Sequence, residues 1–373
     1  MTRSRAAATA AVALLTAVGG LSCGSGPAAV HRAAPIRSSA TVGSTHGPRG
    51  EAATPASALT LTAHDIARVR AGHYTAALVW HESSDFTSAV TTGVRHVFDT
   101  LGVKVVAETS ANFDPAKQKA DIETVAAKRP SVMITLPVDP VVTASAYAQA
   151  ARQGTRIVLI SDVPRGMRYG RDYVSLVTDD LFQMGKRAAD ALAAAVGPHA
   201  TVADFFHAAH HYVTNERDQA VLKTLTTNYP GIGVVKVGIA DPSEAQEQAN
   251  ATLVQHPDLD GAYVMFSQPT GDGVLAALRA NGDTKTHIVS LDLDEPLALD
   301  LAKGGNTFAL VADEAYELGA ATAKAAAYGL LGKQAPPFVI APALTVTREN
   351  LIAGYRRSLH RDPPASVLAA LGR

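Results

Sequence analysis

From Tyr74 onward, short β-branched apolar runs alternate with longer stretches whose apolar residues recur at helical spacing. Runs at 75–80, 103–108, 132–136 and 156–160 read as strands. The stretches between them, 86–101, 115–128 and 140–153, read as helices. Asp114 before Pro115 suits an N-cap ahead of a first-turn proline, and Gly154 closes the third helix. The alternation then restarts. Strands are predicted at 173–176, 201–206, 234–237, 261–266, 288–291 and 307–311. Helices are predicted at 181–196, 215–229, 242–256, 271–282, 295–303 and 314–331.

Strands covered on both faces read as continuous apolar runs, as these do, and a βαβα succession implies parallel sheets flanked by helices. The strands are too many for one comfortable sheet. The fold class is therefore α/β, with two similar lobes, each a doubly wound parallel sheet. In such sheets ligands sit outside the carboxyl ends of the strands. The first half offers His81 to Phe86, Ser110 to Asp114, Pro137 to Asp139 and Ser161 to Pro164 there. The second half offers His207 to Asn215, Ser267 to Thr270, Asp292 to Asp294, and Ala312 to Glu314. Carboxylates and amides give and accept many hydrogen bonds, and aromatic faces pack on a sugar ring. The set is poor in Lys and Arg, which argues against phosphate. It suits a neutral polyhydroxy ligand. Each Asp or Asn alone is equally readable as a turn or cap residue.

The amino terminus has a different pattern. Arg3 and Arg5 precede an apolar run from 6 to 18, too short to span a bilayer, and small residues close it. Gly20-Leu21-Ser22-Cys23-Gly24 matches G-x-S-x-G, but a nucleophile elbow needs a strand before it and a helix after it; here glycines flank Ser22. The segment reads as a secretion signal over 1–23. Residues 24–60 are rich in Ala, Ser, Gly, Pro and Thr without an apolar period, as in a flexible tether. Cys23 is the one cysteine of the 373 residues, so no internal disulfide forms and stability must come from the core.

A formal net charge of −1 gives no basic surface, and nucleic acid is not expected as a partner. G-x-G-x-x-G after the first strand and the P-loop are both missing, which excludes dinucleotide and NTPase fingerprints. His207, His210 and His211 lack the H-E-x-x-H spacing and a third ligand, so no metal is expected. Asp179 and Asp180 stand before a predicted helix and read as its cap. No catalytic residue and no cofactor are expected.

Several stretches together resemble the type I periplasmic binding proteins, specifically the ribose- and galactose-type solute-binding proteins of sugar ABC transporters. They are 77–90, Asp114 to Gln118, 174–192 (VSLVTDDLFQMGKRAADAL), 258–282 and Val289 to Asp292. The resemblance covers about 74–350. It implies a three-strand hinge near Asp179, Asp313 and 341–345. The lobes would then be 72–178 with 314–341, and 179–313 with 342–362. It implies ligand contacts from Ser84, Phe86, Asp162 or Ser161, Asn215, Thr270 or Gln268, Asp292 and Asp313. Asn215 stands where the family has Arg, and Asp313 where Gln is frequent, so the guest is a sugar other than ribose, a polyol or a related polar molecule. The signal resembles that of a lipoprotein, with Cys23 acylated, although Gly20 stands where Leu is usual; ordinary secretion is the alternative. The implied protein is a monomeric, extracytoplasmic, lipid-anchored binder that serves an ABC permease. A sensor feeding a membrane kinase is the second reading. A lac-repressor-type effector domain would need an N-terminal helix-turn-helix and no export signal, the opposite of this chain. An α/β enzyme in the same fold space would turn over a small molecule. From Gln334 onward, Ala335-Pro336-Pro337 breaks the preceding helix, and the last residues read as a loosely held tail.

Overall fold

A computed structural model describes residues 35–373. In chain order the elements are β1 (Thr54–Pro55), α1 (Ala63–Ala71), β2 (Thr75–Trp80), α2 (Asp85–Leu101), β3 (Lys104–Ser110), α3 (Pro115–Ala127), β4 (Val132–Thr135), α4 (Ala144–Arg152), β5 (Arg156–Ile160) and β6 (Ser175–Asp179). Then come α5 (Leu181–Val196), β7 (Thr201–His207), α6 (Tyr212–Asn228), β8 (Gly233–Ile239), α7 (Ala245–Gln255), β9 (Gly261–Val264), α8 (Asp272–Ala280), β10 (His287–Leu291), α9 (Glu295–Lys303) and β11 (Thr307–Asp313). The chain closes with α10 (Ala315–Leu330), β12 (Phe338–Ala341), β13 (Ala343–Val346), α11 (Leu351–Ser358) and α12 (Ala365–Ala370).

The strands form two sheets, ordered β1-β12-β6-β5-β4-β2-β3 and β13-β11-β10-β9-β7-β8. All pairs are parallel except β11 with β13. This is the doubly wound, two-lobed α/β architecture. Period-two alternation divides each strand between two helix layers. Leu78, Ile134, Val158 and Val177 pack with Val90, Val94 and Leu318 from α2 and α10. Val79, Met133, Ile157 and Leu159 pack with Ile122 and Tyr147 from α3 and α4. Each such side chain, fully buried, stabilises the lobe by about 1.5–3 kcal/mol. Two glycines let α2 and α10 cross closely: a Cβ on Gly93 would lie 2.1 Å from the Tyr316 carbonyl oxygen, and one on Gly319 2.1 Å from that of Val90.

The chain passes between sheets three times: after β6, after β11, and between β12 and β13. The crossings hold one another through backbone bonds, Asp180 N to Ala341 O at 2.9 Å and Glu314 N to Pro342 O at 3.2 Å.

Three expectations need correction. The strand read at 173–176 runs instead over Ser175–Asp179, because Val177 and Thr178 pair with β5 or β12 and are fully buried. Asp179 is thus a strand-end residue; Asp180 alone caps α5, accepting from Gln183 N. Residues 35–59, which composition assigns to a tether, lie along the body. The Thr45 hydroxyl accepts from Phe182 N at 2.8 Å and donates to Asp180, and Lys186, buried with Asp190, donates to Ser38. Arg49 donates to the Met167 carbonyl and β1 joins β12, so the segment touches both lobes. The residues after 350 are not a loose tail: Leu351, Tyr355 and Val367 are fully buried. The secretion signal and Cys23 fall outside the described residues.

Candidate functional site

The strand ends of the two sheets face the hinge. On the first lobe, β2 runs into Trp80, buried, and His81, whose ring meets Phe113 edge-on at 5.3 Å and Phe86 at 6.4 Å. Fully buried Gln118 fixes the loop after β4: its amide donates to Leu136 O at 2.8 Å and accepts from Val138 N at 2.7 Å. After β5, Ser161 has φ of 65° and turns the chain so that Asp162 follows. Burial raises the Asp162 carboxyl above its usual range against the bond from Val163 N, and His211 of the other lobe acts on it.

On the second lobe, Asp292 mirrors Ser161, with φ of 69° directly after β10. A left-handed backbone at a non-glycine residue costs about 1–2 kcal/mol, and such strain gathers at binding sites. Asp292 accepts from Arg217 Nη1 at 3.1 Å. Arg217 comes from α6, and its side chain is 7% exposed. Gly185 makes this possible: a Cβ there would stand 2.2 Å from the Arg217 carbonyl oxygen, so α6 lies close on α5. His207 at the end of β7 bonds Thr214 and stacks on His211. Burial, then His211 and Arg217, press its imidazole down to about 4.

Two hinge carboxyls complete the centre. Asp179 ends β6 and Asp313 ends β11, and they are 5% and 8% exposed. Oδ1 of each is buried without a protein partner. Burial pushes Asp179 up to about 7, with Arg217 opposing and Asp292 adding. Burial, then Asp179 and Asp292, raise Asp313 well above the carboxylate range. Arg217 is held charged despite burial by Asp292 and Asp313.

The structure therefore brings Asp292 and Asp313 together, adds Asp179 and Arg217, and sets Phe86 beside His81. Asp162 stands on the facing lobe. Ser84 works as the α2 cap, in a reciprocal bond with Thr87. The Asn215 amide is taken by the carbonyls of His207 and Ala209 and by His211 N. Thr270 is fully buried in the turn over Ser267–Gly271, with its hydroxyl unpaired, while neighbouring Gln268 is exposed. Arg217 had a readable signal: it occupies a position of the α6 stripe otherwise filled by Ala220, Val221 and Thr224. Asp179 could be read only as a cap and a hinge position, since its place in the site depended on where β6 ended.

Among the described residues no group of three or more His, Cys, Asp or Glu could hold a metal ion. Two surface hollows lie elsewhere. One of about 410 Å³ is lined by Glu314, Glu317, Lys324, Arg357 and His360, and one of about 770 Å³ by Arg152, Arg165 and Arg171. Neither includes Asp179, Asp292 or Asp313.

A family model described as periplasmic binding protein domain matches residues 76–334. This chain belongs to the periplasmic binding protein family. The match runs through both lobes and takes in Asp179, Asp292 and Asp313. Among solved structures, the arabinose-binding protein AraP of Geobacillus stearothermophilus is 20% identical, with TM-score 0.69 over 76% of this chain and 99% of its own. A sugar-binding protein of a sugar ABC transporter from Bacillus halodurans is 22% identical, with TM-score 0.68 over 75% and 99%. A solute-binding protein from Agrobacterium vitis, bound with α-D-tagatopyranose, is 21% identical, with TM-score 0.67 over 76% and 98%. These likenesses are of fold. No curated protein matches the chain. Among the described residues no helix is long and apolar enough to cross a membrane.

Proposed function

We propose that this periplasmic binding protein captures one small, hydroxyl-rich ligand of the sugar class between its lobes and delivers it to an ABC permease. The observation that carries the reading is the set of Asp179, Asp313 and Asp292 around Arg217, where hinge and second lobe meet, with two buried carboxylate oxygens lacking partners. Unpaired buried acceptors are costly, and ligand hydroxyls would satisfy them. Asp162 and the His81–Phe86–Phe113 cluster would close on the guest from the first lobe. A ligand touching both lobes only when they are shut shifts the population toward the shut form, which a permease can recognise. The bound tagatopyranose of one structural neighbour and the arabinose specificity of another support the ligand class.

Acylation at Cys23 would hold the protein, as a monomer, on the outer side of the cell membrane. Melting the purified protein against a panel of monosaccharides, polyols and sugar acids tests the function. One or a few should raise the melting temperature with the concentration dependence of ligand linkage. A flat response across the panel overturns the reading.

A further inference from the structure

The hinge centre holds more negative than positive groups. Arg217 faces Asp179, Asp292 and Asp313, and its guanidinium is already bonded to Asp292. The facing groups come from every packed element: Asp180 from the cap of α5, Asp218 from α6, and Tyr263 from β9. Asp294, beside Asp272 and Asp292, adds a further half-buried acid behind Asp292. Asp179 and Asp313 are more than nine-tenths buried, and each leaves Oδ1 without a partner in the protein. A buried carboxylate requires a counter-charge or a proton. A hydroxyl can only share a bond with such a group. A primary ammonium brings three donors and the missing positive charge at once, in charge-assisted bonds.

We propose that the ligand is an amine-bearing sugar, whose ammonium sits between Asp179 and Asp313 while Asp292 and Arg217 bond its hydroxyls. This rests on the sugar-class reading above and narrows it. Sugar acids are excluded by the same surplus of carboxyls, because a fourth acidic group would enter without a free cation to meet it. As the ammonium settles, protons held by the pair leave to solvent, so charge balances without any other reactant.

The test is calorimetric titration of the purified protein with D-glucosamine, D-glucose and N-acetyl-D-glucosamine, repeated with the galacto series. The acetylated sugar keeps the nitrogen but loses its charge. The proposal expects the free amine to bind at least about tenfold more tightly than either neutral partner in one series, since every tenfold is a modest 1.4 kcal/mol. Titration in two buffers of different ionisation enthalpy should show net proton release for the amine alone. Asp313→Asn, with Asp179→Asn as the second variant should the first not fold, should bring the amine and neutral affinities to within about threefold. Neutral sugars binding as well as or better than the amines overturn this proposal and leave the sugar-class reading standing. An amine preference unchanged in both variants also overturns it. Failure of every sugar, charged or neutral, overturns the sugar-class reading itself.

Discussion

Arg217 reaches Asp292 across 3.1 Å from a side chain 7% exposed to one 37% exposed. The pair thus joins the buried interior of the second lobe to the open end of its sheet. Removing the cation leaves Asp292, Asp179 and Asp313 facing one another. Breaking a buried pair costs about 3–5 kcal/mol, and the exposure of Asp292 places this one toward the lower end. Arg217→Ala should therefore lower unfolding free energy by about 2–4 kcal/mol in urea titration and abolish ligand-induced stabilisation.

Asp179 gives a pH dependence of opposite kind. Its folded value is about 7 against an ordinary 3.8, because burial disfavours the charge. Between those values the unfolded chain releases a proton that the folded chain keeps. Stability is thus fully present below the lower value and is lost as pH rises toward the upper one. Asp179→Asn should gain about 1–3 kcal/mol over the parent at about pH 8, and little or nothing at about pH 4. Denaturant melts at both pH values check this; equal differences at the two would contradict it.

Gly185 controls where α6 lies. With 2.2 Å available beside the Arg217 carbonyl oxygen, a methyl group must push the helix outward. Gly185→Ala should cost about 1–3 kcal/mol and weaken ligand binding by displacing Arg217. A variant of unchanged stability and affinity would show that the helices yield freely.

The segment 35–59 should stabilise the body. Thr45 stops at the start of α5, Gly43 lies against the Phe182 ring, and Asn228 donates to Ser39 and the Ala40 carbonyl. Thr45→Ala removes a bond to the first turn of α5 and leaves Phe182 N without its partner. A loss of about 1–2 kcal/mol is expected, as for an N-cap, read by thermal melting.

The fold was legible because parallel strands carry their own signature: unbroken runs such as Leu78-Val79 and Val158-Leu159-Ile160 between amphipathic helices. Asp292 and Asp313 could be marked as strand-end acids for the same reason. Arg217 stands two residues from Asn215, on which the resemblance places the family's Arg position, and its place on the buried α6 stripe and the packing of α5 on α6 distinguish the two. Residues 35–59 escaped because their apolar content is too low to announce contact. Much of their hold on the body is made of single hydrogen bonds at Ser38, Ser39 and Thr45 and a two-residue strand pairing with β12, which periodicity cannot detect.

Membrane attachment is separable from binding. Cys23→Ser should move the exported protein from the membrane fraction to the soluble one on immunoblots, if acylation at that position is the anchor. A variant that stays with the membrane contradicts the anchor alone.

The central claim is a sugar-class guest held by the strand-end carboxyls. Isothermal titration of the parent and of Asp292→Asn, with the sugar that raises the melting temperature most, tests it directly. The account predicts one saturable site in the parent and no measurable heat in the variant, which still unfolds cooperatively without ligand. Equal affinity in the two proteins would contradict it.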